Sequence, residues 1–212
     1  MKQKTFFGRL QSRKLSLEKK KILDQNLQNL LFNPNKIKSE KSLILEIGFG
    51  MGHNLIALAK KNPNNIFVGV DPFLNGVANL VHTCVKENVS NIFLYPTPVE
   101  KFFEDFKKII LDQVYILFPD PWPKKKHHKR RLVKASFILS ILEKLKPKGK
   151  ILFATDNKDY YERVQDDLTE LITCKTPIKL IKKDPKHLEN TKYFKRANKL
   201  GNKVHFLVIV KL

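Results

Sequence analysis

The chain has 212 residues, with 41 Lys and Arg against 20 Asp and Glu, and a formal net charge of +21. That excess favours a polyanionic partner, either nucleic acid or an acidic membrane surface; a Lys- and Asn-rich codon bias would raise the total but would not cluster the charges. Hydrophobic residues at 42% supply one real core, no run of about 18 apolar residues marks a membrane span, and Cys84 and Cys174 form neither a disulfide framework nor a metal spacing, as expected of a reducing cytoplasm.

Residues 1 to 14 are basic and aperiodic and read as a mobile arm without the apolar stretch of a secretory signal. Leu23, Leu27, Leu30 and Leu31 recur at helical spacing over 16–32, with Ser16 as the N-cap. Residues 33–41 read as a linker. The expected organisation is therefore a basic arm and helix over 1–40 and a main domain over 41–212.

From residue 42 apolar runs and helical patterns alternate. "SLILEIG", "NIFVGVD", "NIFLYP", "QVYILFPD" and "KILFATD" read as buried strands. Helices are predicted between them, including one over 99–110 with Val99, Phe102, Phe103, Phe106 and Ile109 on one face. "PKG" (147–149) reads as a turn, and "PIKLIK" and "KVHFLVIVKL" close the chain as strands. This alternation predicts an α/β fold, a mostly parallel sheet with helices on both faces. Ligands of such sheets bind beyond the carboxyl ends of the strands. Asp71, Asp120 and Asp156 are expected at those ends, and Glu46 just before a glycine loop.

That loop, "LEIGFGMGHN", carries Gly48, Gly50 and Gly52, with His53 where a dinucleotide fingerprint requires glycine. A nucleoside cofactor without pyrophosphate needs only close backbone approach, which glycine permits. Asp71 is placed to accept hydrogen bonds from ribose hydroxyls, and Glu46 to meet an amino group or a cation. S-adenosylmethionine has these features: a ribose, an amino group, a sulfonium and no phosphate.

The stretch "LFPDPWPKKKHHKRRLV" (117–133) sets Asp120 against six Lys and Arg. Pro121 and Pro123 stiffen the turn. Trp122 either stacks on a base or covers the core. The basic block reads as a phosphate cradle with steep salt dependence. A membrane-surface role fits less well, because the charges flank a crevice motif and not an apolar helix face.

"LEIGFGMG", "VDPFLNGVANL", "LFPDPWPKKKHHKRR", "FATD" and a late "TKY" with "LG" resemble the bacterial tRNA (guanine-N7-)-methyltransferase family from about residue 5 onward. The DPWPK…KRR block carries most of that likeness. The resemblance implies a Rossmann-like methyltransferase sheet with an antiparallel last strand, and methyl transfer from S-adenosylmethionine to N7 of a guanine in the tRNA variable loop. It implies cofactor contacts from Glu46, Gly48, Asp71 and Pro98, catalysis at Asp120, and tRNA contacts from Lys124, Asp156 and Thr191. It also implies no obligatory protein partner, the chain acting as a monomer or homodimer.

Two positions depart from the family pattern. Pro98 stands where an acidic residue is usual, leaving its carbonyl, or Thr97 or Glu100, to substitute. Phe194 stands where the family has Glu, and its ring offers stacking in place of an acceptor. The alternative these departures leave open is a weakened or inactive tRNA-binding relative. A methylase of exocyclic amines is disfavoured, since "DPWP" departs from the N/D-P-P-Y turn usual there.

Overall fold

A computed structural model describes residues 7–37, 40–181 and 192–212, which fall into two compact units divided after Ile109. In the first unit β1 (Leu43–Ile47), β2 (Ile66–Val70) and β3 (Ile92–Tyr95) are parallel, with β2 in the middle. Every residue of β2 is buried. A strand covered on both faces reads as a continuous apolar run, which is why no alternation shows in its sequence. Ile47 pairs with Val70 and Val70 with Tyr95, so the three strands end at one level.

Among the described residues four α-helices accompany them: α1 (Leu17–Leu30), α2 (His53–Lys61), α3 (Leu74–Lys86) and α4 (Val99–Asp105). Ser16 caps α1 as expected, its hydroxyl accepting the Lys19 amide at 3.3 Å; such a cap is worth about 1 kcal/mol. α1 packs against α3. The segment just before it is not a free arm. The Leu74 amide donates to the Leu10 carbonyl at 2.8 Å, and Asn75 bonds the Ser12 amide and the Arg13 carbonyl. α3 has no capping side chain, so Leu10 satisfies one of its open amides.

α4 stops at Asp105, short of the predicted residue 110, because Phe106 leaves the helical region at φ −116° and ψ 58°. Its ring meets Phe32 and Tyr95 edge-on, with centroids 5.0 and 5.3 Å away. Asp105 is held by the Tyr95 hydroxyl and by Lys101. Aromatic packing overrides the helical period here.

In the second unit β4 (Leu111–Leu117) runs parallel to β5 (Leu145–Thr155), while β7 (His205–Lys211) is antiparallel to both β5 and β6 (Ile178–Ile181). Its α-helices among the described residues are α5 (Ala135–Lys144), α6 (Lys158–Thr173) and α7 (Lys192–Lys199), the last not anticipated from the sequence. The "PKG" turn is an irregularity inside β5: Leu111 pairs with Leu145 but Gln113 with Lys150, and Lys148 takes φ 63°. No described helix is long and apolar enough to cross a membrane.

β4 ends at Leu117, so Asp120 lies three residues beyond the strand and not at its tip. Phe118 turns the chain at φ 51° while its amide still donates to the Ala154 carbonyl at 2.7 Å.

Candidate active site

Gly48, Asp71 and Pro98 all follow the carboxyl ends of β1, β2 and β3. The Gly48 backbone is left-handed (φ +71°), and a Cβ built there would meet nothing within 4 Å. Open space over bare main chain suits a flat nucleoside. Asp71, 8% exposed, organises the loop: one carboxylate oxygen accepts the Gly50 amide at 2.8 Å and the other the Phe73 amide at 2.9 Å. A carboxylate oxygen can accept more than one hydrogen bond.

Glu46 is buried and accepts a hydrogen bond from Asn54 Nδ2 at 2.8 Å. Burial pushes its pKa up to about 8; the Asn54 bond opposes the rise and nearby Asp71 adds to it. A desolvated carboxyl of this kind is suited to a cationic partner. The Pro98 carbonyl accepts the Lys101 and Phe102 amides of α4 and the Thr97 hydroxyl. Any contact from Pro98 to a ligand would therefore be made by its ring. Burial raises the pKa of neighbouring Glu100.

Sequence reasoning missed three supports of this loop. Asn54 fixes Glu46. The Asn79 side chain donates to the Met51 carbonyl at 2.9 Å and accepts from Lys19 Nζ at 2.8 Å. Gly76 lies under the loop: a Cβ there would sit 1.9 Å from the Gly50 carbonyl oxygen. A lone glycine inside the helical pattern 74–86 was the available signal.

In the second unit Asp120 and Asp156 follow the paired ends of β4 and β5, and both are exposed. Asn157, after Asp156, caps α6 by accepting the Tyr160 amide at 2.8 Å. Lys124 is exposed and opens a 3-10 helix over Lys125–Arg130. Trp122 is half-buried at φ 45°, with the Arg130 guanidinium 4.9 Å from its ring centroid. The expected cradle is not uniform. Lys124, Lys125, Lys126 and Lys129 are exposed, but Arg131 is only 4% exposed and bound to protein groups, so it does not line the cradle. Thr191 lies outside the described residues. Phe194 packs in α7 with its ring 6.2 Å from that of Phe206 in β7.

Residues 40–207 match the Methyltransf_4 family, described as "Putative methyltransferase". A tRNA (guanine-N(7)-)-methyltransferase of Neorickettsia sennetsu is 32% identical over 178 residues, 84% of this chain and 76% of that one. The chain belongs to the tRNA (guanine-N(7)-)-methyltransferase family. It is also 36% identical over 210 residues to the bifunctional methyltransferase of Rickettsia conorii, covering 96% of this chain but only 39% of that longer protein. Among solved structures, the 16S rRNA methyltransferase KamB aligns at TM-score 0.57 and 13% identity over 94% of each chain. That likeness shows the Rossmann-like methyltransferase fold and nothing finer. Asp120 lies in the "DPWP" turn that follows β4.

Proposed function

We propose that this chain transfers a methyl group from S-adenosylmethionine to N7 of a guanine in the tRNA variable loop. The observation that carries the reading is the Asp71 carboxylate bracing an open glycine loop beside buried Glu46, in a chain of this family. Bound S-adenosylmethionine supplies a methyl group made electrophilic by its sulfonium.

Glu46 meets the cofactor's cationic end, Asp71 its ribose hydroxyls, Gly48 gives close backbone approach, and the Pro98 ring adds apolar contact. Guanine N7 presents an in-plane lone pair and carries no proton, so no general base is required. The chain's task is then positioning. Asp120 orients the base through its N1 and N2 hydrogens and compensates the positive charge it acquires. Extracting the base from its stack costs a few kcal/mol. Phosphate contacts from Lys124 and the exposed lysines after it offset that cost. Asp156 and Thr191 take the substrate side, Thr191 on the family resemblance alone. The segment 1–40 serves as a basic extension of the domain at 41–212, tRNA is the partner, and the cytoplasm the site of action.

The test is transfer of labelled methyl from S-adenosylmethionine to unmodified tRNA, followed by nucleoside mass spectrometry. 7-Methylguanosine is expected. Tight tRNA binding with no methyl transfer would leave only a tRNA-binding relative, and label on an exocyclic amine would refute the N7 assignment.

A further inference from the structure

The last arginine of the basic block is built differently from the lysines before it. Arg131 Nε donates to the Pro121 carbonyl at 2.8 Å, and Pro121 directly follows Asp120. A terminal guanidinium nitrogen is hydrogen-bonded to Asp159 in the first turn of α6 and lies 3.1 Å from His128 Nε2. The guanidinium carbon sits 4.8 Å from the centroid of the buried Tyr160 ring. The pairing holds the Asp159 carboxyl below its ordinary range.

The turn it grips needs holding. Phe118 and Trp122, on either side of Asp120, both have positive φ, 51° and 45°. Left-handed backbone is disfavoured for a non-glycine residue, so two such residues in five persist only where surrounding contacts over-determine them. We propose that Arg131 is a positioning residue: its guanidinium ties the Pro121 carbonyl to Asp159 and thereby sets where the Asp120 carboxylate points. Lysine cannot replace it, because a single ammonium lacks the planar fork that reaches carbonyl and carboxylate together. The proposal rests on the catalytic role given to Asp120.

The test compares Arg131→Lys, Asp159→Asn and Asp120→Asn by kcat at saturating tRNA, tRNA affinity across a salt series, and thermal stability. A positioning role predicts kcat lower by about 10-fold or more in Arg131→Lys, since misplacement of about 1 Å already costs on the order of 100-fold. It predicts tRNA affinity within about 2-fold and an unchanged salt slope, where a phosphate contact would lower that slope by about 1. Asp159→Asn decides the matter if Arg131→Lys does not fold. It removes a negative charge, which would favour RNA binding, yet its kcat should fall several-fold.

Wild-type kcat in Asp159→Asn, a flattened salt slope with unchanged kcat in Arg131→Lys, or lost thermal stability alone would each overturn the proposal. If Asp120→Asn keeps full turnover, the catalytic reading of Asp120 fails and the proposal falls with it. If Asp120→Asn is dead while the other two are normal, only the clamp fails.

Discussion

Asn54, the second residue of α2, donates its side-chain amide to buried Glu46 at 2.8 Å, while burial pushes that carboxyl up to about 8. The native protein thus keeps a proton on Glu46 that the unfolded chain releases near the ordinary value of 4.5. The folded state binds more protons across that window, so the Glu46 contribution falls as pH rises from about 4.5 through about 8. Glu46→Gln should match wild type in melting temperature at acid pH. It should exceed wild type by several degrees at pH near 8.5 without cofactor, at roughly 2–4 °C per kcal/mol. A difference between variant and wild type that does not change with pH would contradict this. The same variant should bind S-adenosylmethionine about 10-fold or more weakly, read by calorimetry.

Two glycines of the same loop system should fail in different ways. At Gly48 an added Cβ meets open space, so Gly48→Ala should cost only the left-handed backbone penalty, about 1–2 kcal/mol, yet intrude on the ligand. At Gly76 the Cβ would strike the Gly50 carbonyl, so Gly76→Ala should lower the melting temperature further and also weaken cofactor binding. Equal melting temperatures for the two would contradict the close approach.

Asp120 is exposed, so its removal should not unsettle the fold. Asp120→Ala should reduce methyl transfer by at least about 100-fold. The melting temperature and tRNA affinity should stay near wild type. Wild-type turnover would remove it from the mechanism.

Lys124 and Lys125 are exposed beside the "DPWP" turn. Each changed to Ala should weaken tRNA binding at low salt and reduce the slope of log affinity against log salt by about 1. A filter-binding series with unchanged slopes would place the phosphates elsewhere.

The fully buried Tyr160 hydroxyl accepts the buried Val133 amide at 2.8 Å. Tyr160→Phe leaves that amide without a partner, at about 1–3 kcal/mol. Denaturant unfolding should show the loss. A variant as stable as wild type would mean another acceptor moves in.

Much of this was legible in the residues. Continuous apolar runs located the strands because a strand covered on both faces must be largely apolar, and Ser16 marked a helix start because capping acts within one turn. The end of β4 was misplaced because "QVYILFPD" stays apolar past Leu117, while the break is a backbone rotation at Phe118.

The sequence alone determined the strand-and-helix alternation, the glycine loop, Asp71 after β2 and the basic block, since each depends on residues within a few positions of one another. Only the tertiary structure decided that Asn54 holds Glu46, that Gly76 supports Gly50, and that Arg131 is withdrawn from the cationic surface to pair with Asp159, 28 residues along the chain. A buried charge persists only beside a partner, and which distant residue becomes that partner is settled by packing.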